Sequence, residues 1–300
     1  MLAYLALPLL LQTLQSKPID LIVPQGSHPS LLADGYRFTE GPAWTSDGHL
    51  IWSDILGDTI YEYRAGNATP LVHPSQRAIG NTIDPQGRIV TCHQQSRSVT
   101  RLEKDGSVTV LADRFEGKRF NSPDDVVVRS DGVVYFTDPS FGLKPADKEL
   151  SIDGVYKISA DGKIEQILNS FAKPNGLAFS PDETILYIND TVRQQIHSFD
   201  VLPSGEITHE RLFAYLTGEL AGQPNGMKVD ELGNVYCTGP GGIQIFQPNG
   251  KFIGLIYMPQ VVTNFCFGEV DRKTLYITAG QGVYKLRVNI AGAIRPSKQR

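Results

Sequence analysis

Short apolar runs alternate along the chain with polar stretches rich in Gly, Asp, Asn and Pro, and they fall into groups. The second run of each group is the most aromatic and β-branched: residues 50–52, 88–91, 133–136, 185–188, 235–237 and 275–278. Runs of this kind between turn residues read as strands. A third run follows each one, at 59–63, 98–102, 154–158, 195–199, 242–246 and 282–286, and a weaker fourth closes most groups, as at 108–111 and 164–168. Six units therefore begin near residues 37, 77, 121, 172, 222 and 261. Four strands recurring every roughly 40 to 50 residues predict an all-β chain folded as a six-bladed β-propeller. The last unit runs out after three strands, so the early run Ser30–Ala33 is expected to supply its fourth and close the ring. No segment keeps a helical apolar period over three turns, and residues 212–216 fit either a helical turn or a strand.

The pattern also aligns polar residues. Pro174-Asn175-Gly176 and Pro224-Asn225-Gly226 each precede an apolar strand, a turn and a second strand, as do Thr39-Glu40-Gly41-Pro42 and Asp124-Asp125. Counting eight residues back from the turn glycines Gly48, Gly132 and Gly233 reaches Glu40, Asp124 and Asn225; the unit at Asn175 has one extra turn residue. Innermost propeller strands line a central channel and run the same way, so one register makes a ring near one mouth. That ring is expected to hold Glu40, Asp124, Asn175 and Asn225, with Asn81 and Asn264 as further candidates. Two carboxylates and two amides without Cys or His match Ca²⁺. Zinc ordinarily takes imidazole or thiolate, yet an oxygen cage alone leaves Ca²⁺, Mg²⁺, Mn²⁺ and Zn²⁺ open. Asn and Asp before Gly are common turn formers; turn chemistry does not call for four such donors, one of them Glu, in a single register.

Composition narrows the class. With 41% hydrophobic and 20% charged residues the chain has ample core material. A net charge of −4, without a run of Lys or Arg, excludes an electrostatic nucleic-acid surface. Cys92, Cys237 and Cys266 have no metal or redox spacing and read as small buried apolar residues. The expected organisation is an apolar segment over 1–16, one propeller over 17–290 and a tail over 291–300. The opening segment is too short to span a bilayer. It has the apolar core of a secretory signal without the positive start or cleavage site, so export and a helix packed on the domain both fit. The first implies a periplasmic or secreted protein, the second a cytoplasmic one.

At this point the residues carry a family likeness. Phe38-Thr39-Glu40-Gly41-Pro42-Ala43-Trp44, Asn121-Ser122-Pro123-Asp124-Asp125-Val126-Val127, Phe136-Thr137-Asp138-Pro139, Lys173-Pro174-Asn175-Gly176-Leu177-Ala178-Phe179-Ser180-Pro181-Asp182 and Pro224-Asn225-Gly226-Met227 resemble the senescence marker protein/gluconolactonase/luciferin-regenerating enzyme family over about residues 30 to 288. The resemblance implies a six-bladed propeller with one divalent metal, often calcium, in the channel mouth, and hydrolysis of sugar lactones as small-molecule substrates.

Two positions depart from the family pattern. Members usually carry Asn where this chain has Asp124 and Asp where it has Asn225. Donor count and formal charge survive the exchange, but the residue usually given the role of base is now an amide. Asp124 is therefore expected to serve as base and metal ligand, with Asn225 opposite. Arg119 and Asn121 are candidates to bind substrate hydroxyls, Asp190 to support the ring or cap a turn, and His93 to reach the mouth. The remaining histidines read as surface or turn residues. No Gly-x-Ser-x-Gly context is present, against a serine nucleophile. The expected activity is metal-dependent opening of a sugar lactone. Another ester hydrolase on the same scaffold, such as one acting on organophosphates, and a non-catalytic calcium-binding propeller are the alternatives.

Overall fold

Turn chemistry sets the local structure. Gly48, Gly132 and Gly233 have φ of 86°, 94° and 82°, the left-handed region that glycine enters without strain. They reverse the chain between the first and second strands of three units. The longer turn of the fourth unit places Glu183 at φ 58° instead.

The computed structural model describes residues 18–294. Within them lie six four-stranded antiparallel sheets, arranged as the blades of a propeller. The first five run in chain order: Thr39–Trp44 to Asn67–Val72, Ala78–Ile83 to Val108–Ala112, Val126–Val128 to Ile164–Leu168, Pro174–Phe179 to Ile207–Tyr215, and Met227–Val229 to Phe252–Tyr257. The sixth joins Val262–Gly268, Thr274–Ala279 and Gly282–Arg287 to Ser30–Ala33, with Ser30 opposite Lys285 and Leu31 opposite Tyr284. The expected closing strand is thus in place. Residues 212–216, left between helix and strand by the sequence, lie mostly in the extended strand Ile207–Tyr215.

Apolar burial lies largely between blades. Tyr135 and Val155 of the third blade pack with Leu177, Leu186 and Ile188 of the fourth, so both faces of a sheet are covered and the alternating strand pattern gives way to nearly continuous apolar runs. Trp52, fully buried, stacks on Tyr61 with ring centroids 5.8 Å apart and meets Tyr36 edge-on at 5.4 Å. All three cysteines are buried and free, as their strand positions suggested.

Past the last strand the chain stays on the body. Gly292 pairs with Asp230, and Ala293 N donates to Val229 O at 3.0 Å, so the packed region extends beyond the expected boundary at 290. The 1–16 segment lies outside the described residues. Among the described residues no helix is long and apolar enough to cross a membrane.

Candidate functional site at the channel mouth

The innermost strands approach one another so closely that only glycine fits at several points. A Cβ on Gly41 would fall on the Ile79 carbonyl, one on Gly176 on the Asn225 carbonyl, and one on Gly226 on the Asn264 side chain. Hydrogen bonds join neighbouring blades at the same level. Asn81 Nδ2 donates to Gly41 O (2.8 Å), Gly80 N to Asp124 O (2.9 Å), Asn189 Nδ2 to Asn225 O (2.6 Å), Gly226 N to Thr263 O (2.9 Å) and Thr263 Oγ1 to Thr39 O (2.8 Å).

These glycines follow the ring residues, and the strand pairing explains why. The first strand of the first, second, fourth and sixth blades carries one extra residue against its partner, between Glu40 and Ala43, Ala78 and Asn81, Pro174 and Leu177, and Val262 and Asn264. Such bulges bend a strand and redirect a side chain. In the third and fifth blades regular pairing begins only after the ring position, at Val126 and Met227. Glu40, Asp124, Asn175 and Asn225 therefore all stand where the ladder is interrupted.

The ring position of the second blade is Ile79 and that of the sixth is Thr263, which corrects the expectation for Asn81 and Asn264. Asn81 lies deeper and is fully engaged: its amide donates to Gly41 O and to Ser53 Oγ at 2.8 Å, and its oxygen accepts from Thr91 Oγ1 at 2.8 Å. Asn264 stands level with Gly41 and Gly226, beneath the ring. Its influence, like that of Gly41 N, favours the ionised Glu40 carboxyl.

Three of the four ring residues hold a buried oxygen with no partner: Glu40 Oε1, Asn175 Oδ1 and Asn225 Oδ1. Buried polar atoms are rarely left unpaired in folded proteins, and oxygens of this kind on three blades at one register are donors that a hard cation would satisfy. The carboxylates show the same deficit of positive charge. Burial, with the charge of Asp125, pushes Glu40 up from 4.5 to about 7. Asp124 rises well above its ordinary value through burial and then the charges of Glu40, Asp125 and Asp138. The amides are held from behind, Asn175 Nδ2 donating to Thr191 Oγ1 at 3.3 Å and Thr191 Oγ1 to Pro224 O at 2.7 Å. Asn225 N donates to Thr238 Oγ1 at 2.8 Å. The donor set is thus two carboxylates and two outward amide oxygens, chemistry that fits a hard divalent cation. Among the described residues no group of three or more His, Cys, Asp or Glu is placed to hold a metal, so a cation here depends on the asparagines.

One support was only partly legible in the sequence. Asp54, Asp138 and Asp190 end the second strands of their blades, and each accepts backbone N–H groups two and three residues ahead of a ring residue. The pairs are Arg37 and Phe38 before Glu40, Asn121 and Ser122 before Asp124, and Ala172 and Lys173 before Asn175. Asp190 also accepts from Val192 and Arg193, so it anchors the entry loop and caps its own turn. Burial drives Asp138 to about 8 against these hydrogen bonds. The repeated Ser53-Asp54, Thr137-Asp138 and Asn189-Asp190 pairs were the available signal.

The remaining candidates divide. Asn121 is buried rather than exposed; its Nδ2 donates to Ile152 O at 2.8 Å while its Oδ1 has no partner. Arg119 lies on the short hairpin Arg114–Phe115 with Lys118–Arg119, its guanidinium donating to Ser96 O at 3.0 Å. His93 does not open onto the mouth: its ring nitrogens meet Ser75 O and Thr100 Oγ1, both at 2.7 Å. His49, read as a surface or turn residue, is buried beside Thr45 and Asp47. At the far end of the channel an open cavity of about 340 Å³ is walled by Ala43, Val126, Val128, Ala178 and Phe267; none of the four ring residues lines it, and Lys228 does.

Fold and mouth together define a six-bladed propeller with an oxygen-lined ring at one end of its channel. The chain belongs to the SMP-30/Gluconolactonase/LRE-like region family, which it matches over residues 38–281. It is 34% identical to a gluconolactonase of Zymomonas mobilis, over 92% of this chain and 86% of that protein. It is 28% identical to an L-arabinolactonase of Azospirillum brasilense, over 86% of this chain and 87% of that protein. The solved structure of a gluconolactonase, XC5397 of Xanthomonas campestris, superposes with a TM-score of 0.83 at 33% identity, covering 90% of this chain and 92% of the other.

Proposed function

We propose that the protein is a lactonase that opens a sugar lactone at this mouth, with Glu40, Asp124, Asn175 and Asn225 holding one divalent cation, Ca²⁺ by donor type. The observation that carries the reading is the set of unpartnered buried oxygens on Glu40, Asn175 and Asn225, three blades contributing to one register. The lactonases among the relatives support the reaction class.

Lactone hydrolysis adds water across the acyl bond: a hydroxyl joins the carbonyl carbon, the ring C–O bond breaks, and the proton ends on the released oxygen. A bound divalent cation supplies positive charge for the carbonyl oxygen and holds the ring carboxylates ionised. The chain must supply a base. Asn225 is an amide and takes no proton near neutral pH; Asp124 is a carboxylate, able to accept one. Asp124 accordingly removes the proton from the attacking water, and Asn225 orients through its amide.

The test compares wild type, Asp124→Asn, Asn225→Asp and the double exchange at equal cation occupancy, using a pH-indicator assay on glucono-1,5-lactone. Asp124→Asn is expected to lose about 10²- to 10⁴-fold in turnover, and the double exchange to recover much of it. Full activity in Asp124→Asn would remove Asp124 as base. Cation uptake without hydrolysis of any lactone, or a preference for organophosphates, would transfer the site to one of the other two readings.

A further inference from the structure

The far end of the channel contrasts with the mouth. All six innermost strands end there, around an open cavity of about 340 Å³. Five blades give it apolar walls: Trp44, Ile83, Val127, Phe179 and Phe267 come from the first, second, third, fourth and sixth, and each stays half-buried. Trp44 is fixed by stacking on Tyr276, ring centroids 5.3 Å apart. Water-facing apolar surface gathered in one concave site marks a place where something binds. Small-molecule sites have this character, roughly 300–1,000 Å³ of mostly apolar wall with a few polar groups that fix orientation.

The fifth blade supplies the polar group. Lys228, the one basic residue on the six innermost strands, lines the same cavity and is half-buried. Its ammonium donates to Met227 O at 3.0 Å and to Asn264 Oδ1 at 3.2 Å, and it stands 5.8 Å from the centre of the Phe265 ring. Both acceptors are uncharged, and among the described residues no carboxylate pairs with the ammonium. Two of its three donors are thus engaged, and the charge is anchored without being neutralised. Glu183, the one carboxylate among the described residues that line the cavity, is tied to the third blade, accepting from Ser130 N at 2.9 Å and from Ser130 Oγ.

We propose that this cavity is a second binding site, separate from the mouth, that takes a carboxylate with an apolar body, such as a medium-chain fatty acid. The carboxylate pairs with Lys228, and the apolar body packs on Trp44, Phe179 and Phe267. An uncharged apolar molecule leaves the ammonium unpaired. A polyhydroxy acid, such as an opened sugar lactone, strands its hydroxyls against apolar walls. Charge and apolar burial are both required, so the ligand class is narrow.

Full-length protein is titrated calorimetrically with decanoate, decan-1-ol and gluconate, as wild type, Lys228→Met and Lys228→Arg, thermal melts confirming folding. Wild type is expected to take one equivalent of decanoate and to change its tryptophan emission through Trp44, the chain's other tryptophan, Trp52, being fully buried. Decan-1-ol is expected to bind at least about tenfold more weakly, the scale of one charge-assisted hydrogen bond, and gluconate not at all. Lys228→Met should bring decanoate down to the level of decan-1-ol, while Lys228→Arg stays within about threefold of wild type. No decanoate uptake by folded wild type overturns the proposal, as does equal decanoate affinity in wild type and Lys228→Met, or gluconate bound as tightly as decanoate. If Lys228→Met does not fold, the wild-type ratio decides, and equal affinities for decanoate and decan-1-ol overturn it. None of these results touches the cation reading of the mouth.

Discussion

Raising the pH of the cation-free protein should destabilise it, and Glu40 sets a measurable part of the effect. Its carboxyl is buried and unpaired on one oxygen, and its pKa stands near 7 instead of 4.5. An acid whose pKa is higher in the folded chain binds more protons there than in the unfolded one. Between about 4.5 and 7 the unfolded chain has released this proton while the fold retains it. Stability therefore falls across that window, at roughly 1.4 kcal/mol per pH unit for one group, and levels off above it. The displacement from 4.5 to about 7 amounts to roughly 3 kcal/mol. Asp138, displaced to about 8, extends the same trend upward. Urea melts in chelator from pH 5 to 8, on wild type and Glu40→Gln, isolate the Glu40 share as the difference between the two slopes. Identical slopes from pH 5 to 7 would refute the burial argument. Saturating Ca²⁺ should reverse the sign, because the ion competes with the proton and its stabilisation grows with pH.

Three further outcomes follow from packing. Gly176→Ala would drive a methyl onto the Asn225 carbonyl; a loss of about 3 kcal/mol or more in chemical melts, together with loss of cation binding in calorimetry, is expected. Asp190→Ala strands the N–H groups of Ala172 and Lys173 ahead of Asn175, and should cost about 1–3 kcal/mol and weaken Ca²⁺ binding in parallel. Trp52→Ala empties a site among Tyr36, Tyr61 and Tyr63 and should cost about 3–5 kcal/mol in urea melts, with cation affinity per folded molecule unchanged.

The architecture was legible because blade strands follow one another in sequence, so strand order reduces to repeat order. Even the closing strand could be placed, since a unit one strand short requires one from elsewhere. Glu40, Asp124 and Asn225 could be found by counting from a turn glycine because the distance from turn to ring is the same in their blades. Asn81 and Asn264 were misplaced for a physical reason. The bulge adds a residue within the strand, and the second and sixth blades put Ile79 and Thr263 at the ring, so a nearby polar residue invited the wrong alignment. The bond from Lys228 to Asn264 was not legible, because it joins two blades through side chains whose depth in the channel no local pattern encodes.

The strand that completes the sixth blade also orders events in time. Ser30 Oγ donates to Lys285 O, residues 255 apart in the chain, so the wheel cannot shut until the chain through the strand Gly282–Arg287 has left the ribosome. Until then Ser30–Ala33 has no partner, and the bond from Thr263 to Thr39, which joins the sixth and first blades, can form only after residue 263 has emerged. The mouth is accordingly among the last parts to be assembled. Pulse-labelled nascent chains stalled short of residue 282 should hold folded blades yet retain no calcium.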